Sequence, residues 1–117
     1  MAKAPDKDAV NKFLGNFKRL FGKRGLNILW SRNKNKETIT KLGFTRLDVI
    51  DEILKLTHID YIDGPKTDID NNFPGKIWEF GKIINCEEIY IKLKINNDEP
   101  FCFSFHFPEK KMVYPFK

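Results

Sequence analysis

Two cysteines, Cys86 and Cys102, and two histidines, His58 and His106, are all that the 117 residues contain of the commonest redox and metal-ligating side chains. One cysteine pair is too little for a disulfide framework and leaves no second pair for a zinc site. No apolar run approaches the ~18–20 residues a membrane-crossing helix needs. The first seven residues, Met1 to Lys7, have no apolar stretch of the secretory kind. The expected compartment is the cytoplasm, with no membrane partner. Repeats and low-complexity tracts are absent as well.

What is present is globular composition, 41% hydrophobic and 32% charged. The length is that of one domain, 1–117, with 1–7 and 108–117 as flexible or edge extensions. The net charge of +5 is unevenly spread. Residues 1–36 carry ten Lys/Arg against Asp6 and Asp8 alone, a local balance of +8. Residues 37–75 stand at −4 and residues 76–117 at +1. A basic region of this kind attracts polyanions by neutralising phosphates and releasing counterions, without specifying sequence. It is equally what a solvated helix face looks like.

Val10, Phe13, Leu14, Phe17, Leu20 and Phe21 recur every three or four residues, which predicts a helix over 8–22 with one apolar stripe. Residues 26–30 read as a short strand and 31–35 as a polar connection, followed by a helix over 36–42 that ends at Gly43. Thr45 and Asp48 have capping-box spacing, and the helix after them places Leu47, Ile50, Ile53 and Leu54 on one side. Thr57 and Asp60 repeat the pattern for one more turn, which Gly64 and Pro65 end. Residues 66–75 read as a surface loop. Beyond it the period becomes two: 76–82, 88–95 and 101–107 predict an antiparallel meander, and 112–116 a short edge segment. The fold class is α+β, N-terminal helices packed on a C-terminal antiparallel sheet.

Alternation puts Ile89, Ile91, Leu93 and Ile95, with Phe101, Phe103, Phe105 and Phe107, on the face toward the helices. The other face then carries Tyr90, Lys92 and Lys94 beside Cys102, Ser104 and His106. A second hairpin centred on Asp98 sets His106 across from Tyr90, Ser104 from Lys92 and Cys102 from Lys94. A first hairpin centred near Asn85 sets Glu79 across from Lys92. Opposed Cβ atoms lie ~4.5–5.5 Å apart, so Glu79, Tyr90, Lys92 and His106 form one cluster.

Cleavage of RNA by its own 2′-OH needs a base for that proton, an acid for the departing 5′-oxygen and positive charge at the phosphorane. Glu79 or His106 suits the base, His106 or Tyr90 the acid, and Lys92 with Lys94 the electrostatic role. No metal or other cofactor is required by such a set. Ordinary cross-strand pairing on a polar sheet face would use the same residue types.

The block from Leu56 to Tyr61, then Ile77-Trp78-Glu79, Ile89-Tyr90-Ile91-Lys92 and Phe103-Ser104-Phe105-His106, resembles the MqsR family of type II toxin-antitoxin toxins. These are messenger-RNA endoribonucleases with a RelE-like α+β fold. The resemblance covers about residues 8–107 and lies in the order and spacing of short elements. It implies a catalytic surface at Glu79, Tyr90, Lys92 and His106, a cognate antitoxin protein as partner, and single-stranded messenger RNA, free or on the ribosome, as substrate. Lys94, Ser104, Lys66, Arg32 and Lys34 complete the expected RNA-binding set. Glu79 and His106 depart from the family pattern, which has a Gln-like residue and a Lys there. A basic residue of the pattern falls at Asp63, with Lys66 the nearest substitute. The alternative from the residues alone is a non-catalytic basic module that binds RNA or protein.

Overall fold

Asp6 opens the first helix, α1 (Lys7–Arg24), by accepting a hydrogen bond from the Ala9 N–H at 2.9 Å. The helix buries Val10, Leu14, Phe17 and Leu20 along one stripe. It stops at Gly25, whose φ of 77° lies where a side chain is disfavoured. The remaining elements are β1 (Asn27–Ile28), α2 (Asn33–Leu42), α3 (Arg46–Leu54), a three-ten turn (His58–Asp60), β2 (Tyr61–Thr67), β3 (Lys76–Ile84), β4 (Glu87–Asn96) and β5 (Glu99–His106). This computed structural model describes residues 5–67 and 75–117. Helices precede a five-stranded mixed sheet of order β1-β5-β4-β3-β2, in one α+β domain.

The capping box at Thr45 forms as expected: Thr45 N–H donates to Asp48 at 2.8 Å and Asp48 N–H to the Thr45 hydroxyl at 3.2 Å. The buried face of α3, however, is Val49 and Ile53, while Leu47 is 77% exposed. Val49 and Ile53 are one turn apart and meet the core with Leu56, and Leu47 lies beyond that stripe. Helix α2 begins three residues earlier than expected, so 33–35 belong to it rather than to a connection.

Residues 61–67 are an edge strand, not a terminator followed by a loop. Register shifts on either side of Asp63 explain why Gly64 and Pro65 are tolerated, since a proline in a sheet belongs at an edge or a bulge. A side chain at Gly64 would sit 2.6 Å from the Ile77 carbonyl oxygen. The expected loop over 66–75 lies outside the described residues at 68–74. Residues 112–116 form no strand. They pack instead: Met112 is buried and Phe116 lies 5.5 Å from the Tyr61 ring.

Both hairpins turn on two left-handed residues, Asn85-Cys86 and Asn97-Asp98, the pattern that matches strand twist. The first aligns Glu79 with Lys92 as predicted. The second pairs Asn96 with Glu99, one residue tighter than a turn centred on Asp98. The difference is recovered at a bulge: Leu93 faces Cys102, but Lys92 faces Ser104 and Tyr90 faces His106. Phe103 is the extra residue. Cys102 therefore enters the core with Leu93, whereas Phe101 and Phe103 stack on each other at 5.8 Å and Phe103 lies against Lys94. The expectation that Phe101 and Phe103 face the helices and Cys102 faces Lys94 is reversed by this single inserted residue.

Candidate functional site

Strand β1 covers β5 only at Phe101 and Cys102, and α2 takes over from there with side chains. Asn35, fully buried, donates to the Leu29 and Phe103 carbonyls at 3.0 and 3.1 Å and accepts the Phe105 N–H at 2.9 Å. Thr38 accepts the Phe107 N–H at 3.2 Å, and Arg32 Nη1 donates to the Phe103 carbonyl at 2.9 Å. An otherwise open strand edge is thus satisfied by Asn35 and Thr38 of α2 and by Arg32 at its N-terminal cap. This fixes the bulge and, with it, the outward aim of Ser104 and His106.

The outer face carries the row Gly81, Tyr90, His106 and beside it Glu79, Lys92, Ser104. It is not a solvent-washed surface. Glu79, Lys92, Ser104 and His106 are all buried, and the chain after β5 returns past this face to line the same cleft. Gly81 makes that path available: a Cβ there would lie 2.7 Å from the Tyr114 Oη and 2.8 Å from the Met112 Cε. Tyr114 also donates to Glu88 Oε2 at 2.9 Å; burial, helped by that carboxylate, pushes its phenol well above the ordinary value. The result is a cleft of about 420 Å³, with the sheet as floor, Arg32 and Lys34 on one rim, and residues 108–112 on the other.

Within it, Tyr90 Oη donates to Glu79 Oε2 at 2.7 Å, and Lys66 Nζ forms an ion pair with Glu79 Oε1. Lys66 also pairs with Asp63 at 3.3 Å. Burial works against the Lys66 charge, but Glu79 and Asp63 outweigh it and raise its pKa. His106 lies across from Tyr90 with ring centroids 5.3 Å apart. Burial lowers its pKa, against the opposing pull of the Phe107 carbonyl, so the ring is neutral at pH 7. Its Nδ1 stands 2.8 Å from that carbonyl oxygen. A carbonyl only accepts, so Nδ1 carries the proton and Nε2 the lone pair.

Of the predicted residues, Glu79, Tyr90, Lys92, His106, Ser104, Arg32 and Lys34 line this one cleft, and Lys66 reaches it through Glu79. Lys94 does not line it. It is fully buried with its Nζ 5.2 Å from the Phe103 ring centre, because the bulge turns Phe103 onto its side of the sheet. Lys34 forms an ion pair with Glu109, which holds the Glu109 carboxyl below its usual range. Cys102 is a core residue; burial pushes its thiol up to about 12. Among the described residues, no three His, Cys, Asp or Glu side chains gather in a way that would hold a metal ion.

Two features of the site escape a reading by alternation alone. Asn35 is marked only by a polar pair with Thr38 on the side of α2 that also bears Ile39. The returning segment is announced by Gly81, a glycine inside a strand, which signals close approach of another part of the chain. Neither the protein-family models nor the curated proteins compared with this chain match it.

Proposed function

We propose that this protein is a metal-independent endoribonuclease that cleaves single-stranded messenger RNA, acting as the toxin of a type II toxin-antitoxin pair. The observation that carries this reading is the juxtaposition of a neutral His106, with its Nε2 lone pair available, and a Tyr90 hydroxyl held by Glu79, in one cationic cleft. The order of motifs shared with the MqsR family supplies the biological context.

In this reading His106 Nε2 takes the proton of a ribose 2′-OH, and the 2′-oxygen forms a bond to the adjacent phosphorus. The bond from phosphorus to the 5′-oxygen breaks, and Tyr90 Oη delivers the proton that oxygen needs. Lys92 and Arg32 offset charge developing on the phosphorane. Glu79, tied to Lys66, is the group that positions Tyr90. The products are a 2′,3′-cyclic phosphate and a 5′-hydroxyl, and solvent resets the site by taking up the proton that His106 gained and returning one to Tyr90. A cleft of this volume suits one nucleotide of a flexible strand rather than a duplex.

Induction of the protein should arrest growth and generate new messenger-RNA ends, with relief by a co-expressed antitoxin. Tyr90→Phe and His106→Ala should each lower cleavage by at least ~100-fold. Full toxicity in a Glu79→Gln/His106→Ala double variant would sink the assignment. The competing reading, a basic module that binds RNA without chemistry, draws on the +8 balance of residues 1–36. Retention of a defined RNA with no new ends would favour it.

A further inference from the structure

The segment after β5 builds one rim of the cleft, and it brings two exposed cations, Lys110 and Lys111. Its course is fixed on both sides. Pro108 follows the last strand, and Met112 is buried in the notch that Gly81 leaves open, with Tyr114 bonded to Glu88 just beyond. Two further lysines at the cleft are already paired, Lys34 with Glu109 and Lys66 with Glu79 and Asp63, while Lys92 is buried in its floor. Lys110 and Lys111 have no ion pair among the described residues, although they border the same cavity as Glu79 and Glu109. A charged rim that is held in place and left without carboxylate partners is a site prepared for an external anion.

We propose that Lys110 and Lys111 bind the phosphodiester groups of single-stranded RNA that flank the phosphate held over Tyr90 and His106. This rests on the endoribonuclease reading and extends it by naming the residues that carry the strand across the cleft. The tail from 108 to 114 is then part of the substrate-binding surface, and its anchor at Gly81 is a positioning element. Each phosphate neutralised on a single strand contributes about 0.7 to the slope of log affinity against log salt. Loss of two contacts flattens that slope by about 1.4, which is about 25-fold in affinity near 0.1 M salt.

The test uses the full chain and a fluorescent 2′-O-methyl oligoribonucleotide, which binds but offers no 2′-OH, titrated across a salt series. Lys110→Ala/Lys111→Ala is compared with Lys36→Ala/Lys55→Ala, which removes the same charge outside the cleft. The expected result is the 25-fold loss and flatter slope in the first variant only, with both variants melting as the parent does. Equal affinity and slope in parent and first variant overturn the proposal, as does an equal loss in both variants. A parallel arm with all-ribose oligomer reads the chemistry separately. Intact RNA there contradicts the endoribonuclease reading, while a selective loss of binding still supports phosphate contact by the tail.

Discussion

Replacing Asn35 with alanine perturbs fold and site together, and the size of the effect follows from three hydrogen bonds. The two carbonyls that Asn35 serves keep other donors, since Arg32 Nη1 reaches Phe103 at 2.9 Å and the Arg32 N–H reaches Leu29 at 3.3 Å. The Phe105 N–H, by contrast, points away from β4 toward Asn35 and loses the acceptor at 2.9 Å. A buried donor left unmade costs about 1–3 kcal/mol, and each of the other two bonds is worth about 0.5–1.5 kcal/mol net. The expected loss is about 3 kcal/mol, or about 12 °C in melting temperature at about 4 °C per kcal/mol for a chain of this length. Urea unfolding followed by circular dichroism measures it, through a shift of midpoint at constant slope. Asn35→Asp keeps the acceptor for Phe105 but sets a carboxylate against two carbonyls, so it should not rescue. A loss below about 1 kcal/mol in Asn35→Ala would refute the claim that this side chain closes the β5 edge.

Cleavage should rise with pH through the His106 pKa, because the base works deprotonated and burial holds that pKa below its ordinary 6.5. The rate should therefore be level near pH 7, and an acid limb centred above 6.5 would contradict a neutral His106 as base. Gly81→Ala drives a methyl group to within 2.8 Å of Met112 and 2.7 Å of the Tyr114 hydroxyl. The tail should lift, at a cost of about 1–3 kcal/mol, with faster proteolysis after residue 108 and weaker RNA binding. Unchanged proteolysis would show that the tail does not lie in that notch. Tyr114→Phe removes only the bond to Glu88 and should cost about 1 kcal/mol by thermal melting, which a parent-like melt would rule out.

Much of the sheet face is legible because β3 and β4 alternate without interruption and both turns are short. Period and turn position align Glu79 with Lys92, and the structure pairs them so; Tyr90 meets His106 as expected only because the Phe103 bulge offsets a turn one residue tighter than one centred on Asp98. The bulge at Phe103 was not legible, since it depends on side chains of α2 that lie about 70 residues away in sequence. Its consequences fall on the residues where alternation fails, with Cys102 in the core and Lys94 outside the cleft. Edge strand β2 was hidden by Gly64 and Pro65, which read locally as a turn and are accommodated only because one side of the strand is open. The tail has few apolar residues and no period to place them; Met112 and Phe116 find their partners in the tertiary structure.

The basic character of the first 36 residues likewise changes meaning once the chain is folded. Most of it lies along α1, whose apolar stripe packs into the core on the other side of the sheet from the cleft. Among the described residues of that stretch, Arg32 and Lys34 are the basic side chains that reach the cleft, where they join Lys92, Lys110 and Lys111. The local potential at the cleft is thus assembled from three distant parts of the chain.

The account stands most directly on one measurement: purified protein with a defined single-stranded RNA, beside the same oligomer carrying one 2′-deoxyribose at the mapped scission point. The account predicts cleavage of the first into a 2′,3′-cyclic phosphate and a 5′-hydroxyl, undiminished by a metal chelator, no cleavage of the second at that point, and loss of activity in His106→Ala. Scission of the deoxy-substituted strand at the same bond, or a reaction that stops with the chelator, would contradict it.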